Sequence, residues 1–291
     1  FRCDMDPRLF DLQLPDGDFV EIAHYEMPER PILILLTGSE SNHDAHAVQC
    51  LVQEFVNYDW QVVVMHHRCC GFKLNRLPES YHALQTKDLT FLIDFLVEQY
   101  PGIPLVAAGI SLGANVLIHY AIQNPVNPLL SVGALSLPFD WRETIQNIPP
   151  LYERWLLRGL KDKVKKKIQR GDDLPISLEQ LSKIKDVYSF DDKLVAPLHD
   201  FSGANDYYTQ ASVGDILHGI ETPALIINAE DDPFVPHWTL PEVRHLPSCV
   251  ELVVTKRGGH AGFKEGVRLK GLDYWPASLL RRYFDSSLAE S

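Results

Sequence analysis

Gly109-Ile110-Ser111-Leu112-Gly113 follows the apolar run 104–108 and opens the segment 112–123, so a G-x-S-x-G motif stands between an expected strand and an expected helix. A serine at so sharp a turn needs small residues two before and two after it, because strand and helix approach closely enough there for side chains to clash. The strained turn holds the hydroxyl above the sheet edge. The helix N-terminus behind it supplies backbone N–H groups that favour developing negative charge. Leu112, Val116, Leu117 and Tyr120 share one face of that helix. The plain alternative is a tight turn carrying an inert serine.

A serine hydroxyl is a weak nucleophile and needs a general base, usually a histidine oriented by a carboxylate. Both residue types follow in the chain. The strand-like run Ala224-Leu225-Ile226-Ile227-Asn228 leads into Ala229-Glu230-Asp231-Asp232-Pro233-Phe234-Val235-Pro236, which puts acids at a strand's C-terminal end, where α/β sheets carry their sites. The run 250–255 ends in Lys256-Arg257-Gly258-Gly259-His260-Ala261-Gly262-Phe263, a glycine-rich turn that presents a histidine at the same edge. Singly, Asp231 or Asp232 reads equally well as a helix cap and His260 as a turn residue. Jointly, the order Ser, Asp, His favours a catalytic set, with either acid as its third member.

Outward from these motifs, β-rich runs at 32–36, 61–65, 104–108, 131–137, 224–228 and 250–255 alternate with helical segments at 46–56, 88–99 and 112–123. That alternation predicts a mostly parallel sheet covered by helices on both faces. With 291 residues, 45% of them hydrophobic and 23% charged, the chain buries a sizeable core as an ordinary globular protein. The longest apolar run, Ile32-Leu33-Ile34-Leu35-Leu36, falls far short of the roughly 18 residues of a spanning helix. A formal net charge of -12 repels nucleic-acid phosphates, so no nucleic-acid partner is expected. The five cysteines, Cys3, Cys50, Cys69, Cys70 and Cys249, form no C-x-x-C pair, which argues against a disulfide framework or a zinc knuckle and for a reducing, cytoplasmic setting. Because the chain opens at Phe1, it reads as a trimmed product, uninformative about targeting.

The strand rhythm breaks between about 139 and 206, where the sequence turns helical and charged. The expected organisation is a core segment 1–138, an inserted helical cap 139–206 and a second core segment 207–291. Leu156, Leu160, Val164 and Ile168 fall every fourth residue among Lys161, Lys163, Lys165, Lys166, Lys167 and Arg170. The preferred reading is a solvated helix packed on its neighbours; the competing one is weak contact of the cap with an anionic membrane surface. Trp141, Tyr152 and Trp155 either line an acyl pocket or simply pack. His66-His67-Arg68-Cys69-Cys70 contains metal-ligand types, but contiguous residues leaving a strand point alternately to opposite faces, so no metal is expected. No other cofactor is expected.

Several stretches together are more specific than G-x-S-x-G. They are Val62-Val63-Val64-Met65 with His66-His67-Arg68, the strings from Asn75 to His82, Gly109 to Leu117 and Phe190 to Phe201, then Asp206-Tyr207-Tyr208, Asp231 to Pro236 and Gly258 to Phe263. In these the chain resembles the YheT-type branch of the α/β-hydrolases, which includes animal α/β-hydrolase-domain lipases. The resemblance runs from Leu14-Pro15-Asp16-Gly17-Asp18 to about residue 266. It implies an α/β-hydrolase fold with a helical cap, and a serine carboxylic-ester hydrolase with nucleophile Ser111, base His260 and an acid in the Asp231-Asp232 pair. Asp232 is favoured because Asp-Pro-Phe-Val-Pro matches the family's D-x-x-V-P spacing. It also implies an oxyanion hole from the backbone amides of Ser39 and Leu112. It puts Arg68, Asn75 and Arg76 in a loop near the sheet edge, read as loop-ordering residues before substrate contacts.

The superfamily usually carries His-Gly after its third strand, whereas this chain has Thr37-Gly38-Ser39-Glu40-Ser41. Ala114 and Ser41 stand where the family has further glycines. The expected function is an esterase or lipase acting on short to medium acyl esters, with a small ester or lipid as its partner. Two competitors remain: a non-catalytic binding protein on the same fold, motivated by Thr37, and an acyltransferase using the same triad.

Overall fold

In the computed structural model, which describes residues 3–265 and 273–290, eight strands form one sheet in the order β1-β2-β4-β3-β5-β6-β7-β8. The C-terminal end of the resembling stretch, at about residue 266, lies outside the described residues. The strands are β1 (Arg8–Gln13), β2 (Phe19–Tyr25), β3 (Ile32–Leu36), β4 (Gln61–Met65), β5 (Leu105–Ile110), β6 (Leu129–Leu135), β7 (Ala224–Ala229) and β8 (Val250–Thr255). From β4 to β8 across the sheet every pairing is parallel. β1 and β2 form an antiparallel hairpin docked on β4.

This is an α/β-hydrolase fold. Period-two alternation divides each central strand between two cores. Ile32, Ile34 and Leu36 face one side with helices α2 (Thr86–Gln99) and α3 (Leu112–Gln123), while Leu33 and Leu35 face the other with α1 (His46–Asn57) and α10 (Trp275–Glu290). α3 is buried from Leu112 to Ala121 on every face, so its one-sided pattern understates its burial.

The hairpin β1-β2 was not among the strand-like runs. β2 is buried on both faces yet carries Glu21 and His24, so it shows neither alternation nor an apolar run. β5 and β6 are also shifted by one or two residues from the expected 104–108 and 131–137, where flanking apolar residues blur the ends.

Between β6 and β7 the chain is largely helical. It runs through α4 (Trp141–Asn147), α5 (Pro150–Arg170), α6 (Leu178–Lys183), α7 (Val187–Phe190), a π-helical turn (Asp191–Val195), α8 (Ala196–Leu198) and α9 (Ala204–Ala211). Leu157, Val164, Ile176, Leu181, Ile184, Phe190 and Leu194 give this region a small core of its own. Tyr207 and Tyr208 of α9 belong instead to the main core.

α5 is tied to the core loops by lysines on its inner side. Lys167 is only 1% exposed and its Nζ donates to the carbonyls of Leu77, Pro78 and Glu79 at 2.8–2.9 Å. Lys163 Nζ donates to Glu40 Oε1 at 2.6 Å. Of the lysines read as solvated, Lys167 is therefore a buried clamp and Lys163 a partly buried one; the tips of long side chains can reach partners that a helical wheel does not show.

Candidate active site

Ser111 occupies the turn between β5 and α3 with φ 54° and ψ −117°, a backbone state that costs a non-glycine residue on the order of 1–3 kcal/mol. Its N–H donates to Leu135 O at 2.8 Å and its carbonyl accepts from Asn115 N at 3.0 Å, so β6 and α3 hold the turn from both sides. The two glycines are required by space. A Cβ on Gly109 would collide with the backbone of Gly113 and Ala114, and one on Gly113 would stand 2.5 Å from Thr37 O.

His260 Nε2 lies 2.9 Å from Ser111 Oγ, and its Nδ1 lies 2.9 and 3.1 Å from the two oxygens of Asp232. A carboxylate only accepts, so Nδ1 carries the proton of the neutral ring and Nε2 turns a lone pair toward the serine hydroxyl. Asp232 has a fully buried side chain whose Oδ1 also accepts from the backbone N–H groups of Phe234 and Val235 at 2.8 and 3.1 Å. The structure brings Ser111, Asp232 and His260 into one hydrogen-bonded line.

Asp231 is exposed and does something different. Its Oδ1 accepts from Gly258 N at 2.7 Å and Gly259 N at 2.8 Å, pinning the turn that carries His260. Ser136, just past β6 with φ 50°, pins the other side: its Oγ accepts from Ala261 N at 3.0 Å. Phe234 packs on the His260 ring with centroids 4.3 Å apart. Ser136 had no sequence signal, since its bond joins residues 125 apart in the chain.

The loop after β3 packs directly on the serine. A Cβ built on Gly38 would sit 3.6 Å from Ser111 Cβ. Thr37 Oγ1 donates to Ser41 O at 3.1 Å, and His67 Nε2 donates to Thr37 O at 2.9 Å. Burial pushes the His67 ring down to about 4, so it stays neutral and serves as a donor. Glu40 accepts from Tyr81 OH at 3.1 Å as well as from Lys163, which ties this loop to α5. Gly159 leaves the room for it, because a Cβ there would stand 2.5 Å from Glu40 Oε2.

The residues from 66 to 76 are engaged in ordering loops. His66 packs on His43 with Nε2 accepting from His43 N at 3.1 Å, and burial pushes its ring down to about 3. Arg68 grips Asp88 through two bonds of 2.8 and 2.7 Å and reaches Asp16 at 2.7 Å. Asn75 Nδ2 and Arg76 N both donate to the buried Asp18, and Cys69 Sγ contacts Asn75 Oδ1.

A cavity of about 190 Å³ lies over Ser111 and His260, walled by Val48, Ile148, Tyr152, Phe234 and others. A narrower one of about 70 Å³ continues along α5 toward Leu160, Asp191 and His199. Ser39, Trp141, Ile145 and Leu156 line both, and Leu112 lines the second. The indole nitrogen of Trp141 is buried without a partner among the described residues. Asp191 accepts from Tyr208 OH at 2.7 Å, and burial raises its carboxyl to about 7. Trp155 lines neither cavity; it is 53% exposed, because its position on α5 turns it outward from Leu156.

The alpha/beta hydrolase fold family profile matches residues 31–267. The putative esterase YheT of Escherichia coli (strain K12) is 34% identical over 89% of this chain and 79% of its own length. Phospholipase ABHD3 of Mus musculus is 28% identical over 84% of this chain, which spans 61% of that protein. Among solved structures, the Pyrococcus furiosus esterase Pf2001 superposes with a TM-score of 0.66 at 16% identity, covering 98% of this chain and 92% of that one, a likeness of fold. By its sequence and its fold, this chain belongs to the alpha/beta hydrolase fold family and, within it, is YheT-like.

Proposed function

We propose that the protein is a serine carboxylic-ester hydrolase of the esterase or lipase type. The observation that carries this reading is the line Asp232, His260, Ser111, with bonds of 2.9 Å on either side of the imidazole, at the floor of an apolar cavity. Ser111 Oγ attacks the ester carbonyl carbon while its proton passes to His260 Nε2. Asp232 stabilises the imidazolium that results. The developing oxyanion accepts from the backbone amides of Ser39 and Leu112. On collapse the leaving alkoxide takes the proton from His260, and an acyl-Ser111 ester remains. Water, deprotonated by the same nitrogen, attacks that ester and releases the acid.

The cap, taken as 139–206, supplies Trp141, Ile145, Tyr152, Leu156 and Leu160 to the cavity walls, which favours an acyl chain over an acetyl group. Each fully buried CH₂ contributes at most roughly 0.8 kcal/mol, and a partly buried one less. The Trp141 indole N–H offers a donor to a second oxygen of the substrate. The esterase and phospholipase names of the relatives support an ester or lipid substrate.

The test is hydrolysis of p-nitrophenyl esters of increasing chain length, with Ser111→Ala as control. The reading predicts that kcat/KM rises from acetate to about hexanoate or octanoate, several-fold per pair of carbons, then falls as the cavity fills. A steady decline from acetate onward removes the acyl-pocket part. Activity that survives in Ser111→Ala removes the nucleophile.

A further inference from the structure

α5 is strongly basic in an acidic protein: eight basic residues against Glu153 and Asp162, in a chain of net charge -12. Both acids are engaged, Glu153 Oε1 accepting from Val187 N at 3.0 Å and Asp162 pairing with Lys166 at 2.7 Å. Lys163 and Lys167 point inward, and Lys161 donates to Ile184 O at 2.9 Å. Arg154, Arg158 and Lys165 are exposed, and at about 100° per residue they fall within one narrow stripe. Beside them stand Leu151, 79% exposed, and Trp155, 53% exposed. Trp155, Lys165 and Leu178 of α6 line the same open surface groove.

That face is joined to the candidate active site by a run of rings. Trp155 lies 5.1 Å from Tyr152, Tyr152 4.6 Å from Phe234, and Phe234 4.3 Å from His260, measured between centroids. The outermost ring is exposed, and the innermost is the histidine beside Ser111. An indole and a leucine set among cations, with the indole packed on the cavity-wall residue Tyr152, match a lipid–water interface, where the indole sits among headgroups and the cations meet anionic lipid. An acidic soluble partner would match the cations and leave Leu151 and Trp155 unexplained.

We propose that the outward face of α5, Leu151 and Trp155 with Arg154, Arg158 and Lys165, docks the protein on an anionic lipid surface, with the cavity over Ser111 opening at that surface. Among the described residues no helix is long and apolar enough to cross a membrane, so the contact is a surface one. A basic residue at such a surface contributes about fivefold in partitioning, or ~1 kcal/mol, and three contribute about 100-fold.

The experiment is cosedimentation of the whole chain, carrying Ser111→Ala so that lipid is not consumed, with vesicles of phosphatidylcholine alone and of phosphatidylcholine with phosphatidylserine. Docking is read without turnover, so it stands or falls apart from the hydrolase reading. Binding is expected only to the mixed vesicles and to weaken as salt is raised. The triple change Arg154→Gln, Arg158→Gln, Lys165→Gln should lower partitioning about 100-fold. The pair Leu151→Ser, Trp155→Ser should lower it at least tenfold, with thermal melting showing both variants folded. Absence of binding to either vesicle, equal binding to both, or unchanged partitioning in either variant overturns the proposal. So does retention on heparin without vesicle binding, which assigns the stripe to an acidic polymer.

Discussion

Asp231 and Asp232 are neighbours in sequence and opposite in surroundings. Asp232 is buried and meets both the imidazole and two backbone amides, whereas Asp231 is exposed and meets the amides of Gly258 and Gly259. Asp232→Asn should therefore lower kcat by on the order of 10⁴, because an amide cannot hold the productive tautomer and stabilise its charge. Asp231→Asn should keep most activity, since an amide oxygen still accepts both bonds. Steady-state kinetics of the two variants decide between them, and a dead Asp231→Asn with an active Asp232→Asn would reverse the assignment. The D-x-x-V-P spacing was legible because it lies within one loop. The work of Asp231 and Ser136 was not, since each bonds a loop that arrives from a distant strand.

At the scale of elements, α5 shows how far periodicity reaches. The stripe Leu156, Leu160, Val164, Ile168 faces inward as its spacing implied. Spacing says nothing of where a lysine tip ends, so Lys163 and Lys167 were indistinguishable from their wet neighbours. Lys167→Met should cost about 2–4 kcal/mol, because it leaves three partly buried loop carbonyls without their charged donor. A fall in melting temperature with an unchanged helical circular dichroism spectrum would show this; an unaltered melting temperature would mean that water replaces the ammonium. The hairpin β1-β2 was hidden for a related reason: its partner β4 covers a strand whose own sequence shows no period.

For the whole molecule, the buried Asp191 links stability to pH. Burial raises its carboxyl from 3.8 to about 7, with only the Tyr208 hydroxyl opposing. Between those values the unfolded chain has released the proton that the folded protein still holds, so the contribution of Asp191 to stability falls as pH rises from about 4 to 7 and then levels, against the opposite contribution of the buried His66 and His67 below about 6.5. Asp191→Asn keeps an acceptor for Tyr208 and removes the proton. It should flatten that slope and gain on the order of 2–4 kcal/mol at pH 8, read as denaturant midpoints across pH. Identical slopes in the two proteins would contradict this.

An activated Ser111 is open to a single chemical probe, a fluorophosphonate, because only an activated hydroxyl displaces fluoride from its phosphorus. Intact-mass and peptide mapping of the folded protein should show one adduct, on Ser111, absent in Ser111→Ala and strongly slowed in Asp232→Asn. A folded wild-type chain that takes no label, or an adduct that persists in Ser111→Ala, would show that Ser111 is not the nucleophile.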